Sequence, residues 1–318
     1  MRGGGGQDAG ARILRGIGDD AAVVRARPIC VTSVDAMVEG VHFRLGDGWA
    51  SAEEVGHRAI AGALSDLAAM GAEPGEVYLV LGLPGGFAEQ RALALVRSAA
   101  ALGARVGASV AGGDVVGAPV LLVSVTAVGW ASSADELVGR QGARAGDLVG
   151  VTGTLGAGAA ALALMSGEAQ LGAHSEPALA RARCPFPRLA EGRALARAGV
   201  HAMVDVSDGL AGDAAQLGRA GGVELCIDAE ALPLHAGVAE VAAELDRPAW
   251  RLAASGGEDY ELCFCASPQD REQVEGAVAA LGAVQVSWVG EVRPGAPGAR
   301  ISGEGCEDVR IEGFEHRW

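Results

Sequence analysis

Apolar and polar positions alternate with changing period along the chain, and the changes mark out interleaved strands and helices. Residues 23–24 and 29–34 predict short strands around a polar turn at 16–20. Ser51-Ala-Glu-Glu54 is a capping box, in which hydroxyl and carboxylate each satisfy a backbone N–H at a helix start. It opens a helix whose apolar positions Val55, Ile60, Ala63, Leu64 and Leu67 follow helical spacing. Residues 77–83 predict a strand, 88–102 a helix ended by Gly103, and the β-branched run 120–128 a buried strand. In the second half, strands are predicted at 148–152, 202–206, 223–227, 262–265 and 284–289. Helices are predicted at 156–165, 189–198 and 210–220, with Pro185 and Pro187 breaking the chain before the second. Ser267-Pro-Gln-Asp270 predicts a further helix start, and the segment from Pro294 onward reads as turns.

These patterns support two mixed α/β domains, placed at 1–140 and 141–318, with a Gly-rich, disordered stretch over the first ten residues. A length of 318 residues suits two domains at about 150 residues each. Gly accounts for 50 residues while aromatics make up 4%, so small side chains and close backbone approach carry much of the packing. The 40 acidic and 25 basic side chains leave a net charge of −15, which repels nucleic acid and anionic membranes; neither is expected as a partner. None of the 25 basic residues is Lys. That excludes a P-loop, the protein-kinase strand lysine and Schiff-base chemistry, leaving metal ions, backbone N–H groups and Arg to handle phosphates. The six cysteines form no CxxC pair, and Cys263 and Cys265 alternate with Leu262 and Phe264 as small core residues of a reduced protein. No signal core and no 18-residue apolar span is present, so a cytoplasmic location is expected.

Asp residues recur beside Gly or Ser where strands meet turns or helices. They stand in Gly18-Asp19-Asp20, Ser33-Val34-Asp35, Ser65-Asp66, Gly112-Gly113-Asp114 and Asp205-Val206-Ser207-Asp208-Gly209. Singly, each fits a turn or a helix cap. Asp66 fits this least, because it falls inside an apolar helix where an unpaired carboxylate is costly, and Asp114 likewise ends an apolar run rather than a polar loop. Together they suit Mg²⁺, which takes one or two carboxylates plus phosphates and water. Gly112, Gly113 and Gly209 would admit phosphate oxygens close to the backbone, with the helix start at Leu210 aimed at an anion. The pattern favours phosphoryl transfer by positioning and metal electrostatics, without a covalent intermediate.

At these residues a resemblance becomes specific. In order, the segments are Gly16-Ile-Gly-Asp-Asp-Ala21, Asp35 with Glu39-Gly-Val-His-Phe43, Leu64-Ser-Asp-Leu-Ala-Ala-Met-Gly-Ala72, Gly112-Gly-Asp114 and Val138-Gly-Arg140. They continue with Gly146-Asp147, Val151-Thr-Gly-Thr-Leu-Gly156, Asp205-Val-Ser-Asp-Gly-Leu210 and Ser255-Gly-Gly-Glu-Asp-Tyr-Glu-Leu262. Almost end to end, the chain resembles the thiamine-monophosphate kinase family, of the superfamily that holds aminoimidazole ribonucleotide synthetase and selenophosphate synthetase. The resemblance implies the two-domain aminoimidazole-ribonucleotide-synthetase-like fold: an N-terminal domain forming a barrel-like homodimer interface, a C-terminal α/β domain, and a cleft between them. It implies ATP-dependent conversion of thiamine monophosphate to thiamine diphosphate by direct in-line transfer.

By the same resemblance Asp20, Ser33, Asp35, Asp66, Asp114, Asp205 and Asp208 surround several Mg²⁺ ions, with Asp35, Asp66 and Asp205 at the catalytic centre. Gly113, Asp114, Arg140 and Ser207 contact ATP, the co-substrate, and His42, Glu258 and Phe314 the thiamine phosphate. The chain departs from the family at Val34, where Thr or Ser is usual, at Phe314 in place of Trp, and at Cys184 in place of Arg. Two alternatives stay open. One is another ATP-using member of the superfamily, although selenophosphate synthesis would need a reactive Cys or selenocysteine with a Lys. The other is a non-catalytic sensor of nucleotide or thiamine phosphate.

Overall fold

The computed structural model describes residues 12–303 and the backbone of 306–309. The first half holds β1 (Ile13–Arg15), β2 (Val23–Val24), β3 (Ile29–Val38), α1 (Ala52–Ala69), β4 (Glu73–Leu83), α2 (Glu89–Val106), β5 (Ser109–Gly117) and β6 (Leu122–Ala131). Next come β7 (Leu148–Thr152), α3 (Ala157–Ser166), α4 (Ser175–Arg183), α5 (Leu189–Arg197), β8 (Ala202–Asp205), α6 (Leu210–Gly221) and β9 (Glu224–Asp228). The chain continues through α7 (Val238–Glu244), α8 (Ala249–Ser255), β10 (Leu262–Ala266), α9 (Arg271–Ala279), β11 (Val286–Arg293), β12 (Gly298–Gly303) and β13 (Cys306–Val309).

Two sheets organise the molecule. One runs β3-β6-β4-β5, antiparallel except for the parallel β4–β5 pair. The other runs β13-β12-β9-β11-β7-β10-β8. Strand β3 goes four residues beyond its predicted end because it pairs residue for residue with β6, from Ile29 opposite Ala131 to Val38 opposite Leu122. Its odd-numbered side chains, Ser33 and Asp35 among them, turn toward α1, while Val34 is 67% exposed on the outer face. Helix α1 begins as its capping box dictates: Ser51 Oγ accepts from Glu54 N–H (3.2 Å) and Glu54 accepts from Ser51 N–H (2.7 Å). Helix α2 passes through Gly103 to a left-handed Gly107 (φ 86°), where the chain can reverse without a Cβ clash. The predicted stop at Gly103 was one turn early.

Period-2 alternation in β10 divides the core. Leu262, Phe264 and Ala266 join the cluster built around Leu64 and Leu67 of α1, together with Leu189 and Leu195 of α5 and Val274 of α9. Cys263 and Cys265 face the other way, among Val149, Val151, Val204 and Leu217. The first-half core is therefore continuous with one face of the second sheet, and α1 lies between the two sheets. Cys30, Cys184, Cys226, Cys263 and Cys265 are free thiols. Among the described residues no helix is long and apolar enough to cross a membrane.

Candidate active site

A cleft of about 820 Å³ opens where α1 and β3 meet the second sheet; its lining includes Asp35, His42, Asp66, Asp205, Ser207, Asp208 and Glu258. Three residues four apart on α1, Arg58, Gly62 and Asp66, present one face of that helix to it. Gly62 makes room for its neighbours: a Cβ there would sit 2.7 Å from Asp35 Oδ2 and 3.4 Å from the Tyr260 hydroxyl.

The carboxylates crowd one wall. Ser33 Oγ donates to Asp66 Oδ2. Burial raises the Asp66 carboxyl, the Ser33 bond lowers it, and the charge of Asp35 raises it further. Asp205 ends β8 and is 3% exposed; burial first, then the Asp66 charge, pushes its carboxyl up to about 7. Arg140 is a cation whose field reaches both and favours their ionised forms. Among the described residues no three His, Cys, Asp or Glu side chains close into a ready-made metal cage. One buried and several half-buried carboxylates that repel one another on an open wall nonetheless fit Mg²⁺, which completes its octahedron with water and phosphate oxygens.

Gly257, Glu258 and Tyr260 add to the lining, and their segment is anchored by buried neighbours. Glu261, fully buried, accepts from Arg188 Nε (2.7 Å) and Nη2 (2.6 Å), from Arg181 Nη2 (2.8 Å) and from Thr152 Oγ1 (2.8 Å). Asp259 accepts from Gly156 N–H (2.7 Å); burial pushes its carboxyl up to about 7 against that bond. Held between these anchors, Glu258 and Tyr260 take positive φ values of 66° and 50°, strained for side-chain-bearing residues. Glu258 receives Arg58 Nη2 on both oxygens at 2.7 Å, and the same nitrogen donates to the His42 carbonyl (3.1 Å). Val38 N–H donates to His42 Nδ1 (3.1 Å), which places the imidazole proton on Nε2.

Seven of the sequence-predicted residues thus gather around the carboxylate wall: Ser33, Asp35, Asp66, Arg140, Asp205, Ser207 and Asp208. His42 and Glu258 share the cleft with them. Three lie elsewhere. Asp20 is exposed in the N-terminal turn, and Asp114 is exposed on β5, its Oδ1 accepting from Val115 N–H (2.8 Å). Gly113 forms no phosphate-cradling turn; it runs in β5 opposite Leu79, where a Cβ would come 1.9 Å from the Leu79 carbonyl oxygen. Phe314 lies outside the described residues. Val34 points to the outer face, so its side chain is no part of the carboxylate wall. Arg183 lines the cleft beside Cys184, whereas Arg188 is committed to Glu261.

Sequence reasoning missed Arg58, Gly62, Tyr260 and Asp213. The i, i+4, i+8 spacing ending at Asp66 would have found the first two. Asp213, buried in the first turn of α6, accepts from Ser207 N–H and Asp208 N–H at 3.0 Å each, and burial pushes its carboxyl up to about 8.

Both halves of this fold fall within models of the AIR synthase related proteins. The chain matches their N-terminal domain over residues 18–131 and their C-terminal domain over 144–301. The thiamine-monophosphate kinase of Mycobacterium tuberculosis is 35% identical over 92% of this chain and 84% of its own length. The crystal structure of the Stenotrophomonas maltophilia K279a thiamine-monophosphate kinase superposes with a TM-score of 0.83 at 35% identity, covering 92% of each chain. AaThiL complexed with AMPPCP and TMP superposes at 0.79 with 27% identity, over 91% of this chain and 87% of that one. The chain belongs to the AIR synthase related family, in its thiamine-monophosphate kinase branch.

Proposed function

We propose that the cleft transfers the γ-phosphoryl group of ATP directly to thiamine monophosphate, giving thiamine diphosphate. One observation carries the reading: in a member of this branch, one cleft gathers Asp35, Asp66, Asp205 and Asp208 together with His42 and Glu258. The acceptor is a phosphate already ionised near neutral pH, so no strong general base is required; the demand is to bring two anions together in line. Asp35, Asp66, Asp205 and Asp208, with the Ser33 hydroxyl, would hold Mg²⁺. When bound, the ions neutralise phosphate charge and orient the transferring group. Arg140 and Ser207 take the ATP side. Glu258 offers negative charge to the thiazolium cation, with Arg58 fixing its direction.

Asp20, Gly113, Asp114 and Phe314 keep their ATP, metal and substrate roles in this reading through their match to the family's motifs, not through the cleft's geometry. Division of the chain at 140/141 and a cytoplasmic location, where ATP is at hand, belong to the same proposal. So does a homodimer. Val34, Val80 and Val116 are exposed on the outer side of the four-stranded sheet, a face that also carries Asp114 and that a second copy would cover in a barrel-like interface.

The test is turnover of ATP and thiamine monophosphate by Asp35→Asn and Asp66→Asn at rising Mg²⁺. Each should lose transfer while keeping the native melting temperature. Normal turnover in both would remove the carboxylate wall from the mechanism.

A further inference from the structure

We propose that Asp213 is a positioning residue that locks the ATP-side groups, namely the backbone of Ser207 and Asp208 and the side chain of Arg140, into one unit. The proposal rests on the ATP-side roles given above and adds the device that sets their geometry.

Asp213 is 1% exposed, and both of its oxygens are occupied. Oδ2 reaches back past the start of α6 to accept from Ser207 N–H and Asp208 N–H, both at 3.0 Å. Oδ1 accepts from Gln216 Nε2 (3.3 Å), one turn further along the same helix face. Gln216 Oε1 in turn accepts from Arg140 Nη1. One carboxylate therefore joins a loop at 207–208 to a cation more than sixty residues earlier in the chain. The loop is fixed on its other side too, because Ser207 and Val206 carbonyls accept from Glu258 N–H and Tyr260 N–H, each at 2.8 Å.

Asp213 is not a helix cap: the N–H groups it accepts from, those of Ser207 and Asp208, precede Gly209, the residue before α6, and lie outside the helix. Arg140 is exposed on a long stem whose rotamer freedom is worth about 2 kcal/mol, which must be lost when it grips a phosphate. Gln216 holds it in place beforehand, and Asp213 orients Gln216. Because the amide accepts from Arg140 with its oxygen, its nitrogen must face an acceptor; Asp213 supplies one.

The experiment measures KM for ATP, KM for thiamine monophosphate and melting temperature in the full-length chain. Gln216→Ala cuts the link to Arg140 and leaves the 207–208 loop tied. KM for ATP should rise about tenfold while KM for the acceptor moves less than about twofold and melting stays native. Asp213→Asn keeps one oxygen for the loop but turns an N–H₂ toward Gln216, so it should reproduce the same split. In Arg140→Ala, adding Gln216→Ala should change nothing further. An unchanged KM for ATP in Gln216→Ala, or full additivity with Arg140→Ala, overturns the proposal. If the native chain makes no thiamine diphosphate, the functional reading fails. Calorimetric Kd values for ATP in the same variants then decide the positioning role by the same pattern.

Discussion

Gly62→Ala adds a single methyl group to the buried face of α1 and should separate stability from activity. The new Cβ would stand 2.7 Å from Asp35 Oδ2, 3.4 Å from the Tyr260 hydroxyl and 3.6 Å from Tyr260 Cε1. Tyr260 can stay, but the Asp35 carboxylate must retreat by about 0.7 Å to reach ordinary contact, a misplacement near the 1 Å that typically costs about a hundredfold in rate. For the fold, Ala is favoured over Gly in a helix interior by about 1 kcal/mol, and turning Asp35 off its rotamer costs about as much. The two offset, so the melting temperature should stay within about 2 °C of native. Steady-state turnover with an Mg²⁺ titration, beside thermal melting, checks both halves. The expected outcome is a ten- to hundredfold loss of kcat/KM, on the order set by such displacements, in a protein that melts normally. Native turnover with native Mg²⁺ dependence would refute the assignment of Asp35 to the catalytic wall.

Two further outcomes follow from the buried charges. Arg188→Leu removes two of the hydrogen bonds that hold the buried Glu261 carboxylate, leaving Arg181 and Thr152. The loss should be about 3 kcal/mol, at the low end for a broken buried pair because Arg181 remains, read as a shifted urea midpoint; a loss under about 1 kcal/mol contradicts it. Metal-free protein should lose stability as pH rises. Asp205 and Asp259 carboxyls are pushed up to about 7 and Asp213 to about 8, chiefly by burial. The native state therefore holds protons that the unfolded chain has released above about pH 4, and stability declines from there to about pH 8. Adding Mg²⁺ at pH 8 should recover part of it. A metal-free melting temperature that climbs from pH 5 to pH 8 would reverse the sign and sink the argument.

Much of the scaffold was legible because local chemistry and packing agree. The Ser51 and Glu54 pair set the start of α1, and β7, at Leu148–Thr152, follows its apolar run to the residue. Strand β5 escaped notice because Gly112, Gly113 and Gly117 strip it of strand propensity; its pairing with β4 alone makes it a strand. Helices α7 and α8 have seven residues each, too few for a helical period to register. The candidate site divided along similar lines. Asp66 stood out as a carboxylate in an apolar helix, and the fold places it against Ser33 and Asp205 as that anomaly required. Glu258 could be named by motif, yet its partner Arg58 lies 200 positions away and its strained backbone depends on Arg188 and Arg181 beneath. Such contacts are set by tertiary packing and leave no local signature. The opposite faces of β5 and β3 were equally hidden: a one-residue step separates Asp35, turned inward, from Val34, turned outward.

The central claim is that this cleft phosphorylates thiamine monophosphate with ATP. The most direct measurement incubates the protein with ATP, Mg²⁺ and either thiamine monophosphate or free thiamine, and separates the products. Thiamine diphosphate formed from the monophosphate alone, and lost when Mg²⁺ is chelated, is the predicted result. ATP binding with no thiamine diphosphate from either acceptor would contradict the account and return the chain to a sister activity or a sensor.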